Sequence, residues 1–200
     1  MNNTRQKILE AAVAEFARYG LGGARVDRIA HRARANKRML YYYFGDKEAL
    51  FLAALEDRYD HIRSAERTLQ LEHLDPCEAL KRLIEFTWSY FLEHPEFMTL
   101  LNSENLHKGR HVSRSRRVQD MHSPLVETLR SILRKGAAQG LFRKGVDPVQ
   151  LYISIAGEIY FYLSNRYTLS QIFDRDLMAP RALAGRSRHV TQMILNALRR

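Results

Sequence analysis

The chain has 200 residues, of which 46% are hydrophobic, so it can bury a sizeable core and does not have the composition of a disordered protein. Lys and Arg outnumber Asp and Glu by 32 to 22, and the net charge of +10 favours a polyanionic partner, nucleic acid ahead of an anionic membrane surface. The single cysteine excludes an internal disulfide, and without a signal sequence or an apolar run of about 18 residues the chain is expected in the cytoplasm and not in a membrane.

Apolar residues spaced three or four positions apart predict helices along the whole chain, with caps and prolines at their ends. Asn36, Asp46, Asp75 and Asp147 are suitable N-caps for the helices that follow them. No strand, internal repeat or linker is expected, so the predicted fold is all-α. The predicted helices are one ending at glycines 20–23, then 26–33, 37–44, a long helix that includes 48–59, 76–94, 95–106, 124–140, 148–166 and 181–199.

Residues 26–44 have the pattern of a helix-turn-helix: two short helices joined by a tight turn, of which the second can lie in the major groove of DNA. On this second helix Leu40 and Phe44 share one face and are expected to pack inward. Arg38 and Tyr42 share the opposite face, flanked by Met39 and Tyr41. An Arg can bond guanine through two hydrogen bonds and a Met can contact a thymine methyl group, so this face is suited to recognising bases.

Cations around the second helix of the motif are candidates for contacts to phosphate oxygens, as are the amides at its first turn. Arg25 and Arg28 could equally be solvated charges, and Tyr43 could equally be a packing residue. The candidate DNA-binding residues are Arg25, Arg28, Asn36, Lys37, Arg38, Met39, Tyr41, Tyr42, Tyr43 and Lys47.

A set of residues at fixed spacing between Thr4 and Phe51 carries a family resemblance: Thr4, Arg5, Ile8, Leu9, Ala11, Ala12, Phe16, Gly20, Val26, Ile29, Ala30, Ala33, Leu40, Tyr41, Tyr43, Phe44, Lys47, Glu48, Leu50 and Phe51. In these positions the sequence resembles the TetR family of transcriptional regulators. The resemblance implies an all-helical homodimer with an N-terminal three-helix DNA-binding domain, a C-terminal effector-binding domain, and repression that a ligand relieves.

Three positions depart from the family pattern. The family usually has a threonine where Ala24 stands and a glycine in the turn where Arg34 stands, and it often has a small residue or glycine where Arg38 stands. The turn therefore requires Arg34, a non-glycine residue, to adopt a positive φ, which has a modest energetic cost. Arg38 is expected to contribute to the sequence preference of this particular protein.

The expected domains are residues 1–47 for DNA binding and 48–200 for effector binding and dimerisation. The helix at 148–166 is apolar nearly all round, which predicts burial on several sides. The resemblance assigns it and the helix at 181–199 to a four-helix interface with a second copy; the alternative is that both close the core of a monomer.

An aromatic cluster in the middle of the chain, interrupted by isolated polar residues, is the candidate effector pocket, although each aromatic could instead belong to the core. Glu158 could orient a ligand or could pair with an Arg or His across a dimer. The candidate effector-binding residues are Trp88, Phe91, Phe97, Leu101, Asn105, Glu158 and Tyr162.

The basic stretch at 107–117 is either a solvated loop and helix face or an anion-recognising rim of that pocket. No metal site and no cofactor are expected, because the histidines lack the spacing of a ligand motif. Nucleophile motifs and phosphate loops are also missing, which argues against an enzyme.

The predicted function is a repressor that binds a near-palindromic operator as a homodimer and is released by a small organic effector. The alternatives are an activator, a regulator that responds to a protein or to nothing, and a basic protein that binds DNA without sequence preference. Arg38 and Met39 on the outer face of the motif argue against the last alternative.

Overall fold

The computed structural model describes residues 2–199, without the side chains of residues 2, 3, 122 and 123. The predicted all-α fold is confirmed: within the described residues the only β-type pairing is a single bridge between Phe142 and Arg199. No helix within this part of the chain is both long and apolar enough to cross a membrane. The helices are α1 (Asn2–Gly23), α2 (Val26–Arg32), α3 (Lys37–Phe44), α4 (Lys47–Arg67), α5 (Pro76–Glu93), α6 (Pro95–Leu106), α7 (Arg116–Ala138), α8 (Pro148–Ser164), α9 (Arg166–Ile172) and α10 (Pro180–Leu198).

The predicted caps form the expected hydrogen bonds. The side chain of Asn36 accepts from the Arg38 amide at 2.9 Å, and that of Asp46 accepts from the Ala49 amide at 2.7 Å. Asp75 and Asp147 bond in the same way to the amides two residues ahead, at 2.9 and 2.8 Å. Each cap satisfies an amide that the helix itself leaves without a partner. The cap at Asp75 leaves Cys77 in the first turn of α5, where its thiol is half-buried and free.

Two boundary predictions were wrong. Pro124 does not open a helix; it lies inside α7, which begins at Arg116. The apolar stripe of α7 continues across the proline, because Val118 and Leu125, seven residues apart, are both buried. The short helix α9 was not predicted, and α8 ends at Ser164, two residues before the expected end.

Contacts between Cα atoms divide the chain into two compact units. Unit 1 comprises the residues up to His61 and His94–Met121, and unit 2 comprises Ile62–Glu93 and the residues from His122 onward. This division follows from packing and does not show which residues bind DNA or an effector. The functional boundary between residues 47 and 48 therefore stays a prediction.

In unit 1, α2, α3 and α6 pack against α1, and Phe16 meets Phe51 edge to face at a centroid distance of 5.1 Å. The backbone of Gly20 leaves the helical region with φ +65°, which interrupts α1 near its end. The amide of Leu21 then donates to the Oγ of Ser103 on α6 at 3.3 Å. The interruption in α1 is therefore held by a side chain of α6.

Unit 2 is built on α5, α8 and α10, which contact one another pairwise. The predicted apolar stripe of α10 is used inside the protomer, where Val190, Ile194 and Leu198 are buried. The expectation that α8 is buried on several sides is not met within the protomer. One face is buried, but Val149, Ile153 and Phe161 on the other face are 43%, 53% and 59% exposed.

Candidate DNA interface and effector region

Helices α2 and α3 and the turn between them have helix-turn-helix geometry. Arg34 adopts φ +50° in this turn, as the missing glycine requires. The amide of Ala35 donates to the Ala30 carbonyl at 3.0 Å, which closes the end of α2. Leu40 and Phe44 of α3 are buried against the core, as predicted. The remaining face of α3 is consequently directed away from the core of unit 1.

The outer face of α3 carries one guanidinium and two phenols. Arg38, Tyr41 and Tyr42 are exposed, and Tyr42 is 79% exposed. Met39 and Tyr43 are partly buried and pack against the core. Met39 is therefore less accessible to DNA than its predicted place on the outer face of α3 indicated. The candidate base-recognition surface therefore consists mainly of Arg38, Tyr41 and Tyr42.

Three of the candidate phosphate contacts already have partners within the protein. Lys37 pairs with Asp27 at 2.8 Å, and the hydrogen bond from this carboxylate raises the pKa of the lysine. The ammonium of Lys47 donates to the Ala24 carbonyl at 3.3 Å. Arg28 donates from Nε to Glu15 at 2.6 Å and lies over the Tyr19 ring at 4.2 Å. These residues therefore also stabilise the domain that presents them.

The carboxylate of Glu15 joins α1 to the start of α2. It is buried and accepts from the Arg25 amide at 3.0 Å as well as from the Arg28 side chain. The side chain of Arg25 is exposed, and its role in DNA binding stays a prediction. Asn36 is also exposed, but its side chain is committed to the cap of α3.

Four of the proposed effector-binding residues lie in unit 2, and three of them are linked by contacts that include Arg186, which sequence analysis did not single out. Trp88 and Tyr162 lie 5.8 Å apart between ring centroids. Arg186 of α10 binds the carboxylate of Glu158 at 2.6 Å and lies over the Tyr162 ring at 5.5 Å. Glu158 thus has an arginine partner in its own protomer, whereas the alternative raised from the sequence was a partner across a dimer. The fourth, Phe91, is buried.

The other three proposed effector-binding residues lie in unit 1. Phe97 is buried and meets Tyr59 edge to face at 5.3 Å, the arrangement of a core aromatic. Leu101 is half-buried. The amide of Asn105 is exposed and donates to the Leu101 carbonyl of the same helix at 2.9 Å. An effector role for these residues stays a prediction.

The basic stretch at 107–117 is anchored on acidic residues of unit 1. Arg110 pairs with Glu48 at 2.6 Å, and Arg117 reaches Asp60 at 3.5 Å. Glu104, at the end of α6, is buried beneath this loop and accepts from the amides of His111 and Val112 at 2.7 and 2.9 Å. Two of the five Lys and Arg residues in this stretch therefore help to hold the loop.

A second buried charged group, in unit 2, was not found by sequence analysis. Arg63 and Glu66 of α4 are buried, with Nη1 and Oε2 2.8 Å apart, and Arg63 also donates to the Tyr152 hydroxyl at 3.2 Å. An Arg and a Glu three positions apart usually mark a solvated helix face. No pattern in the sequence distinguishes this pair from a solvated one. Among the described residues, no group of three or more His, Cys, Asp or Glu side chains could hold a metal ion.

Two family models match the chain. The model described as "Bacterial regulatory proteins, tetR family" matches residues 8–54, which include the helix-turn-helix. The model described as "Tetracyclin repressor-like, C-terminal domain" matches residues 76–194.

The relatives support the same assignment. The HTH-type transcriptional repressor NicS of Pseudomonas putida is 42% identical over 199 residues, which cover 100% of this chain and 94% of NicS. The ketosteroid regulator KstR2 of Mycobacterium tuberculosis matches with a TM-score of 0.71 at 21% identity, over 100% of this chain and 97% of its own. FadR of Bacillus subtilis, solved with stearoyl-CoA, matches with a TM-score of 0.70 at 17% identity, over 96% and 98%. These two structures establish the likeness of fold.

Proposed function

Because the chain belongs to the TetR family of bacterial regulatory proteins, we propose that it represses transcription by binding a near-palindromic operator as a homodimer, and that a small organic effector releases it. The chain is a transcriptional regulator and not an enzyme. Repression is the direction stated for NicS, the relative that matches over its full length.

The observation that carries the proposal is the helix-turn-helix with the exposed residues Arg38, Tyr41 and Tyr42 on its second helix. A guanidinium there can recognise guanine in the major groove, and the phenols can reach bases or phosphates. The cations beside it, Lys37 and Lys47, are assigned to the phosphate backbone. Residues 1–47 are assigned to DNA binding and 48–200 to the effector and the second protomer.

The proposed homodimer rests on the unpartnered apolar face of α8. Val149, Ile153 and Phe161 are exposed on this helix at positions separated by multiples of four, so they form one stripe. A stripe of this kind in a water-exposed position favours burial against a second copy. Helix α10 is proposed to pack beside it in the interface.

The proposed effector is held by the helical body, and the cluster of Trp88, Tyr162, Glu158 and Arg186 is proposed as part of its wall. Aromatic rings next to a few fixed polar groups are typical of small-molecule sites. Two proteins of similar fold support a ligand-responsive body: one is a ketosteroid regulator and the other was solved with stearoyl-CoA.

Selection of duplexes from a random pool on the immobilised protein tests the proposal. We expect enrichment of a near-palindrome whose half-site centres lie about 34–36 Å apart or a multiple of that distance. The control is a scrambled duplex of the same composition, which should bind more weakly. Equal retention of all sequences would instead indicate a protein that binds DNA without sequence preference.

A further inference from the structure

Arg63, Glu66 and Tyr152 form a buried charged cluster in unit 2, and its hydrogen-bonding capacity is largely unused. Arg63 and Glu66 are 3% and 6% exposed. The Arg63 guanidinium has one hydrogen bond, from Nη2 to the Tyr152 hydroxyl, and it lies over the Tyr152 ring at 5.4 Å. Its Nη1 is 2.8 Å from Glu66 Oε2, but the pair does not have the alignment of a hydrogen bond.

Buried polar atoms without partners are concentrated in this cluster. Within the described part of the chain six buried side-chain nitrogen and oxygen atoms lack a hydrogen bond, and four of them belong to Arg63 and Glu66. Proteins satisfy nearly all such atoms, since each unsatisfied one carries a desolvation penalty. A buried ion pair in this state contributes little to folding or opposes it. Its presence is better explained by a partner that supplies the missing hydrogen bonds.

The unused atoms define the chemistry of that partner. Nε and Nη1 of Arg63 are donors and require an acceptor, whereas both oxygens of Glu66 are acceptors and require a donor. We propose that this cluster is the polar recognition element for the effector, and that the effector presents a carbonyl acceptor beside an N–H donor, as an amide does. This inference rests on the proposed function.

Charge favours an amide over an organic acid. A carboxylate would satisfy Arg63 but would place a second negative charge beside Glu66 and offer it no donor. An amide satisfies both residues without adding charge to a buried site. The Tyr152 ring holds the guanidinium in position by a cation–π contact, so recognition requires little reorganisation.

Two probes that differ only at the polar group test the proposal. Benzamide and benzoate share a ring, but only benzamide has a donor beside its acceptor. Binding of each to the full-length protein is measured by saturation-transfer NMR at pH 8, above the pKa of about 7 to which burial raises Glu66, so that Glu66 is mainly a carboxylate. We expect benzamide to bind about tenfold more tightly than benzoate, the effect of one hydrogen bond to a charged group.

The variant Arg63→Met with Glu66→Leu removes the cluster and keeps its approximate volume. We expect it to lose at least about tenfold in benzamide affinity while its unfolding midpoint stays at or above that of the wild type. The matched control is Arg82→Met with Glu85→Leu, which changes an exposed Arg and Glu at the same spacing on α5. The control should bind benzamide as the wild type does.

Three results would overturn the inference: no benzamide binding to the wild type, equal binding of the two probes, or unchanged benzamide binding by the cluster variant. Operator binding by the wild type, measured without any probe, tests the proposed function separately. A wild type that binds its operator but not benzamide would leave the proposed function intact and remove the assignment of this cluster.

Discussion

Arg38 and Lys47 differ in what holds their side chains, and this difference separates their proposed roles. Arg38 is exposed on the outer face of α3, and its guanidinium is without an internal partner in the described structure. Lys47 begins α4 and is already tied to the Ala24 carbonyl. A free guanidinium in the centre of the face is suited to base edges, whereas an anchored ammonium at its border is suited to the phosphate backbone.

We therefore expect Arg38→Ala to lose about 1–3 kcal/mol of binding free energy on the operator and to relax the preference at one base pair. Lys47→Ala should weaken binding to every duplex about equally and lower the slope of log K against log salt by about one unit, because one fewer counterion is released. Titrations of both variants against the operator and its single-base variants, over a salt series, measure these effects. If Lys47→Ala changed the base preference and Arg38→Ala did not, the two roles would be reversed.

Glu66 gives a prediction about pH. Burial raises the pKa of Glu66 from 4.5 to about 7, against the opposing effect of Arg63 and Arg67. Between these values the folded protein binds a proton that the unfolded chain has released, so stability falls as the pH rises from about 5 to 7.

Glu66→Gln removes this titration. Relative to the wild type, the variant should gain up to about 3 kcal/mol in unfolding free energy between about pH 5 and 8. Urea unfolding of both proteins across this range is the measurement. A constant difference in unfolding free energy would show that Glu66 titrates at the same pH in both states.

At the scale of the helices, the sequence predicted those features that depend on hydrogen bonds between residues close together in the chain. Asn36 caps α3 through a bond to the residue two positions ahead, so its partner is visible in the sequence. Pro124 misled because a proline can open a helix or lie within one, and the continuation of the stripe from Val118 to Leu125 was the signal to follow.

The parts that sequence analysis missed depend on distant contacts. Met39 was expected on the outer face of α3, but it is partly buried, and its packing against the core of unit 1 depends on other helices. Arg63 and Arg186 meet their partners Tyr152 and Glu158 across 89 and 28 residues of sequence. Periodicity along one helix carries no information about such pairings.

The loop after α6 depends on one buried carboxylate, and this gives a prediction for the element. Glu104 accepts from two backbone amides and lies 2.6 Å from Nδ1 of His111. Glu104→Ala leaves these groups buried without a partner and should cost about 3 kcal/mol of unfolding free energy. The matched control is Glu48→Ala, which removes an exposed carboxylate that holds the same loop through Arg110 and should cost less than about 1 kcal/mol.

Chemical denaturation of both variants measures the difference, and limited proteolysis reports whether the loop has opened. Equal losses at the two positions would mean that burial of Glu104 is not what holds the loop.

At the scale of the whole molecule, the exposed stripe of α8 predicts the oligomeric state. Sedimentation of the wild type at micromolar concentration should give twice the chain mass of 23.4 kDa. Phe161→Glu places a charge on the exposed stripe of the proposed interface and should raise the dimer dissociation constant by at least about 100-fold, the effect of losing a large buried aromatic contact. Leu141→Glu, at an exposed apolar residue between α7 and α8, is the matched control and should leave the dimer intact.

If Phe161→Glu sedimented as the wild type does, the stripe would not be the interface. Loss of the dimer should also weaken operator binding, since each protomer would then contact one half-site alone.

The position of the lone thiol has a practical consequence for spectroscopy. Cys77 is the single cysteine of the chain, so a maleimide spin label attaches at one site per protomer without any engineered substitution. In a two-fold pair the two labels define one distance, and double electron–electron resonance spectroscopy can follow that distance as DNA or an effector is added. Burial and the neighbouring Asp75 raise the pKa of this thiol, so the reaction is best run at mildly alkaline pH, where more of the reactive thiolate is present.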